Sequence, residues 1–108
     1  MKILKVGNVD VLLDDWDWLR LCRYKWRVKK VNDHQSYIVR TEGRKGFGRK
    51  RFTVYMHRVI MDTPEGLECH HKNGKTFDNR TENLENLTKQ EHMKKDRERL
   101  ETNNKPSI

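Results

Sequence analysis

A chain of 108 residues that is 37 % charged and 33 % hydrophobic can fill only a small core, which argues for a single domain, of two lobes at most. It contains no apolar run long enough to cross a bilayer and no secretory segment near Met1, so a cytoplasmic setting is expected. Two cysteines, Cys22 and Cys69, with no CxxC pair, exclude a disulfide framework and a zinc knuckle, while the net charge of +8 points to a polyanionic partner.

In chain order, Met1 to Val11 reads as a short hairpin or edge strand around Gly7-Asn8. Asp14-Asp15 then precede Trp16, Leu19 and Cys22 at i, i+3 and i+6, which predicts a short helix with its acids at the positive end and its tryptophans as anchors. From Arg23 to Lys29 the alternation is strict. Tyr24, Trp26 and Val28 fall on one face, and Arg23, Lys25, Arg27 and Lys29 on the other. A second strand is expected from Ser36 to Thr41 and a third from about Arg51 to Tyr55, with Phe52 and Val54 inward. Between these two lies a loop with Gly43, Gly46 and Gly48 and the cations Arg44, Lys45, Arg49 and Lys50. His57 to Met61 reads as a short helical turn, and Pro64-Glu65-Gly66 breaks the chain. The tail from Thr102 is expected to fray.

The charge is uneven. From Arg20 to Arg58 there are 13 Lys/Arg against two acids, a surplus of +11; the remainder carries 11 against 14, or −3. A surplus gathered in one segment suits a phosphate backbone, held by the strand cations, by Arg40, Arg51 and Arg58, and by the glycine-rich loop. Membrane binding fits less well, because the basic stretch has the periodicity of strands.

From Leu67 onward the pattern changes. His70 and His71 are adjacent, Asn73-Gly74 signals a turn, Asn83 follows His71 by twelve residues, and His92 follows Asn83 by nine. Thr88-Lys89-Gln90-Glu91 is a capping box that announces a helix. The order is strand, turn and loop, short strand, helix. Neighbours on a strand diverge, so His70 and His71 are expected to divide labour. His70 would face the helix and bind a metal with His92, while His71 would aim outward at substrate as a neutral imidazole able to take a proton from water. Asp96, one helical turn beyond His92, is a candidate third ligand. The amide of Asn83 is placed to bond backbone across the loop and steady the strand carrying His71. Cys69 reads as a small packing residue, and His57 as a packing residue or a phosphate contact.

These residues resemble the HNH nucleases, built on a ββα-metal motif. The resemblance rests on Cys69-His70-His71, Asn73-Gly74-Lys75, Asp78-Asn79-Arg80, Glu82-Asn83-Leu84 and His92, and is strongest from about Tyr55 to Met93. A His-Arg pair such as His57-Arg58 ahead of the motif, and a weaker likeness back to about Val6, make it most similar to small phage-borne homing endonucleases. The resemblance implies an α+β fold: a basic antiparallel β lobe over 1–63 that contacts DNA, a ββα-metal motif over 64–101, and a tail. It also implies duplex DNA as substrate, with Arg80 as a further contact, a monomer in a bacterial or phage-infected cell, His71 as general base and Asn83 as the structural asparagine. His70 and His92 would hold one divalent ion; imidazole ligands shift the preference from Mg²⁺ toward Mn²⁺, Ni²⁺ or Zn²⁺. The alternative is a non-catalytic DNA-binding module on the same scaffold.

Overall fold

The computed structural model describes residues 1–43, 51–91, 93 and 94. Strands β1 (Lys2–Val6) and β2 (Val9–Leu13) form a hairpin in which Val6 pairs with Val9, leaving Gly7-Asn8 as a two-residue loop. Gly7 takes φ +58°, a conformation glycine adopts without steric cost, and a glycine leading such a loop matches the twist of a tight hairpin. Helix α1 (Asp15–Leu21) follows, then β3 (Arg27–Lys30), β4 (Ser36–Glu42) and β5 (Phe52–Tyr55), an antiparallel sheet in that order. Helix α2 (Met56–Ile60) leaves β5 directly, and β6 (Leu67–His71) pairs antiparallel with β7 (Leu84–Thr88) across a loop that ends in a 3-10 turn, Thr81–Asn83. Small antiparallel sheets with short helices make this an α+β architecture, as expected.

The Thr88 half of the capping box forms as read, while the Glu91 carboxylate bonds the hydroxyl rather than the backbone N–H. The Thr88 hydroxyl accepts the Glu91 N–H at 3.1 Å and donates to the Glu91 carboxylate at 2.9 Å, and residues 89–91 are helical. β7 thus runs directly into residues 89–91.

The core gathers Val6, Val11, Leu13, Leu21, Ile38 and Met56, with Trp18, Trp26 and Phe77 packed around it. It therefore joins the first hairpin, both helices and the central sheet. Three expectations about its facing are corrected. On α1 the buried residues are Asp17 and Leu21, while Trp16 is 74 % exposed, so the stripe Trp16, Leu19, Cys22 points away from the core. A helix this short rests on its neighbours through only one or two side chains, and here Trp18 and Leu21 fill that role. The strand expected from Arg23 begins at Arg27, because Trp26 turns inward and its indole N–H donates to the Leu21 carbonyl at 2.8 Å. Phe52, expected inside, is exposed at the start of β5, opposite Glu42 at the end of the sheet.

Candidate active site

Alternation along β6 places the two histidines on opposite faces of the β6–β7 hairpin. Both are nearly closed to solvent, His70 at 6 % exposure and His71 at 5 %. His71 is expected from the sequence to aim outward; its ring is instead covered. The imidazole lies 4.8 Å from that of His57 and 6.1 Å from the ring of Tyr37, centroid to centroid, and Tyr37 stacks on His57 at 5.3 Å. Sheet register builds this column. Val39 pairs with Tyr55, so Tyr37 and Tyr55 share one face of the sheet, and α2 starts immediately after Tyr55 and turns His57 against them. A cleft of about 300 Å³ opens beside the column, lined by Tyr37, Tyr55, His57, Arg58 and Cys69 among others.

One edge of the His71 ring makes a hydrogen bond. Its Nε2 lies 2.7 Å from the side-chain oxygen of Asn79, and since that oxygen only accepts, Nε2–H donates. Burial holds the His71 pKa below the ordinary imidazole value, partly offset by the Asn79 bond and the nearby Asp78 charge. Burial also pushes His57 down to about 3, with the charges of His71 and Arg58 adding to it. Both rings are neutral at pH 7.

The loop between β6 and β7 is held by its own polar side chains. Asn83, buried, donates its amide N–H to the Asp78 carbonyl at 2.8 Å, and its side-chain oxygen accepts the Asn73 N–H at 3.0 Å. Its carbonyl also accepts the Lys72 N–H at 2.7 Å, directly beyond His71. This is the bracing expected of Asn83. Asn73-Gly74 does not join two strands directly; it closes the end of β6, with the Gly74 N–H on the His71 carbonyl and the Asn73 side chain accepting the Lys75 N–H. Asp78 takes Nε and Nη2 of Arg80 on its two oxygens at 2.8 Å each, and these bonds hold its carboxyl below the usual range.

The same loop is docked on the first hairpin. Leu12 donates to the Phe77 carbonyl and accepts from the Asn79 N–H, both at 2.9 Å, and Leu12 forms a parallel bridge with Asp78. Asp14, which makes no side-chain cap on its own helix, accepts the Thr81 N–H at 2.9 Å instead, and that bond lowers its pKa. Residues 12–14 thereby position residues 77–81.

His92 and Asp96 lie outside the described residues, as do Arg44, Lys45, Arg49 and Lys50 of the glycine-rich loop and the tail. Among the described residues no group of three His, Cys, Asp or Glu is placed to hold a metal ion. The ligand expected from the sequence, the His70 imidazole, is buried on the face opposite His71; imidazole is a borderline-soft ligand suited to a divalent transition metal. Cys69 packs as expected: it is buried, its thiol donates to the His57 carbonyl at 3.5 Å, and burial raises its pKa.

The basic residues divide into two groups. Lys25, Arg27 and Arg51 are exposed, with Arg27 donating to the Thr41 hydroxyl, and half-buried Lys29 lies 5.8 Å over the Tyr55 ring. Others are committed to internal contacts. Arg40 sits 4.3 Å over Tyr24 and pairs with Glu42, Arg23 also covers Tyr24, Arg58 donates to the Leu67 carbonyl, and Arg80 holds Asp78 and Glu82. Sequence reasoning gave no separate role to Asn79 or Asp78, and offered Tyr37 only as a base-stacking or packing residue. The signal for the first two was their place in Asp78-Asn79-Arg80; nothing local marks Tyr37, which reaches the site through sheet register.

Residues 54–94 match the family model of the HNH endonucleases. No curated protein matches the chain, and no solved structure does.

Proposed function

We propose, on the premise that residues 54–94 belong to the HNH endonuclease family, that this protein is a divalent-metal-dependent DNA endonuclease that hydrolyses phosphodiester bonds in duplex DNA. The observation that carries this reading is His71: a neutral imidazole beside a second buried histidine on the opposite face of one hairpin, inside the matched segment. His71 takes the proton of the water that attacks phosphorus. Asn83 keeps the loop beyond His71 in place. His70 and His92 would hold the ion, which when bound supplies charge stabilisation at the phosphoryl and leaving oxygens. Arg27 and Lys29, on the sheet face that carries Tyr37 and Tyr55, hold backbone phosphates, and one site per chain favours nicking over a double-strand cut.

Incubation with supercoiled plasmid and Mn²⁺ or Mg²⁺ tests the reading. Wild-type protein should yield nicked circles, and His71→Ala should slow nicking by roughly 10²–10⁴-fold, the usual contribution of a general base. Equal rates would refute the assignment of His71. Tight binding without scission under every divalent metal would leave only a DNA-binding module.

A further inference from the structure

We propose that Asn79 is a positioning residue for the reaction: its side-chain oxygen selects the tautomer and fixes the orientation of His71, leaving Nδ1 as the nitrogen that receives the proton. This rests on the reading of His71 as the base. A neutral imidazole has one N–H and one lone pair, and the hydrogen bond made by one nitrogen decides which role the other has. With the Asn79 oxygen 2.7 Å from Nε2, the proton belongs on Nε2 and the lone pair on Nδ1. The ring lies against that of His57, tilted by 43° with centroids 4.8 Å apart, while its edge is bonded to Asn79, so rotation of the side chain is constrained from two sides.

Three further observations separate this from ordinary satisfaction of a buried polar group. Asn79 is 1 % exposed, and its position comes from outside the hairpin, through its N–H on the Leu12 carbonyl of β2. Bracing of the loop falls to Asn83, whereas the amide of Asn79 bonds His71. Finally, the buried Nδ2 of Asn79 has no hydrogen-bond partner among the described residues. Unpartnered buried N–H groups cost free energy and are rarer than under-used carbonyl oxygens. Turning the amide over would leave an oxygen unpartnered instead, but would donate N–H to Nε2, move the proton to Nδ1 and remove the lone pair there.

The test compares full-length wild type, Asn79→Leu and Asn79→Asp by two readouts. In metal-free protein at about pH 8, where imidazole is neutral, ¹⁵N NMR reads the His71 tautomer. Wild type and Asn79→Asp, which keeps an acceptor oxygen, should show Nε2–H alone; Asn79→Leu should show both tautomers. Nicking of supercoiled plasmid at saturating protein with Mn²⁺ should fall by about 10–100-fold in Asn79→Leu with unchanged affinity for DNA, and Asn79→Asp should recover most of the rate. A folded Asn79→Leu that retains the single tautomer or the wild-type rate overturns the proposal. If Asn79→Leu does not fold, Asn79→Asp decides: a folded Asn79→Asp with Nδ1–H, or with the rate of His71→Ala, overturns it equally. Absence of nicking by wild type refutes the nuclease reading alone, and the tautomer series still upholds or overturns the role of Asn79.

Discussion

The β6–β7 hairpin and the β3–β5 sheet use polar residues in opposite ways. The hairpin and its loop bury His70, His71, Asp78, Asn79 and Asn83; His71 is bonded to Asn79, Asp78 to Arg80, and Asn83 spans the loop, while His70 occupies the face opposite His71. The sheet keeps Arg27 and Lys30 at its surface and buries only Ile38 and Val39 fully. Buried polar groups are costly unless bonded, so the hairpin spends stability on fixed geometry, whereas exposed cations cost little and fix little. Precision belongs in the hairpin, and long-range attraction in the sheet.

That contrast can be broken first at Asn83. Asn83→Ala removes both side-chain bonds of the loop and leaves the Asp78 carbonyl and the Asn73 N–H without those partners. Urea unfolding should show a loss of about 1–3 kcal/mol. A loss near zero would mean the loop holds without its braces.

The next effect is in acid. The folded pKa of His57, about 3, lies below its ordinary value of 6.5, so between these values the unfolded chain binds more protons than the folded one. Stability from the neutral ring is complete above about pH 6.5 and is lost as pH falls toward 3. His57→Phe should flatten the melting temperature across that window; an unchanged slope would place the acid sensitivity elsewhere.

The smallest effect is expected in the sheet. Arg27→Ala and Lys29→Ala should each weaken DNA binding alike across sequences and reduce the salt dependence of affinity by about one phosphate contact. A change in sequence preference would instead assign them to base recognition.

Much of the hairpin was legible because its signals are local. The turn at Asn73-Gly74 and the cap at Thr88 are encoded within a few residues of where they act, and the bracing by Asn83 within ten. The first lobe was less so. Elements of four to seven residues carry too little periodicity to state which face packs, so Trp16 and Phe52 were assigned inward by type and are found outward. The column of Tyr37, His57 and His71 joins three separate elements, and no spacing in the chain announces it. Arg40, read as a phosphate contact, shows the same limit: its cation lies over Tyr24 and Trp26, sixteen and fourteen residues earlier in the chain, which the alternation of its own strand does not announce.

On the proposed reading, two adjacent histidines do different work, His70 toward a metal and His71 toward substrate. Calorimetric titration of Mn²⁺ into full-length wild type, His70→Ala and His71→Ala tests it directly. His71→Ala should bind the ion as wild type does, and His70→Ala should bind it at least about tenfold more weakly. Equal losses in both variants, or full binding by His70→Ala, would contradict the division.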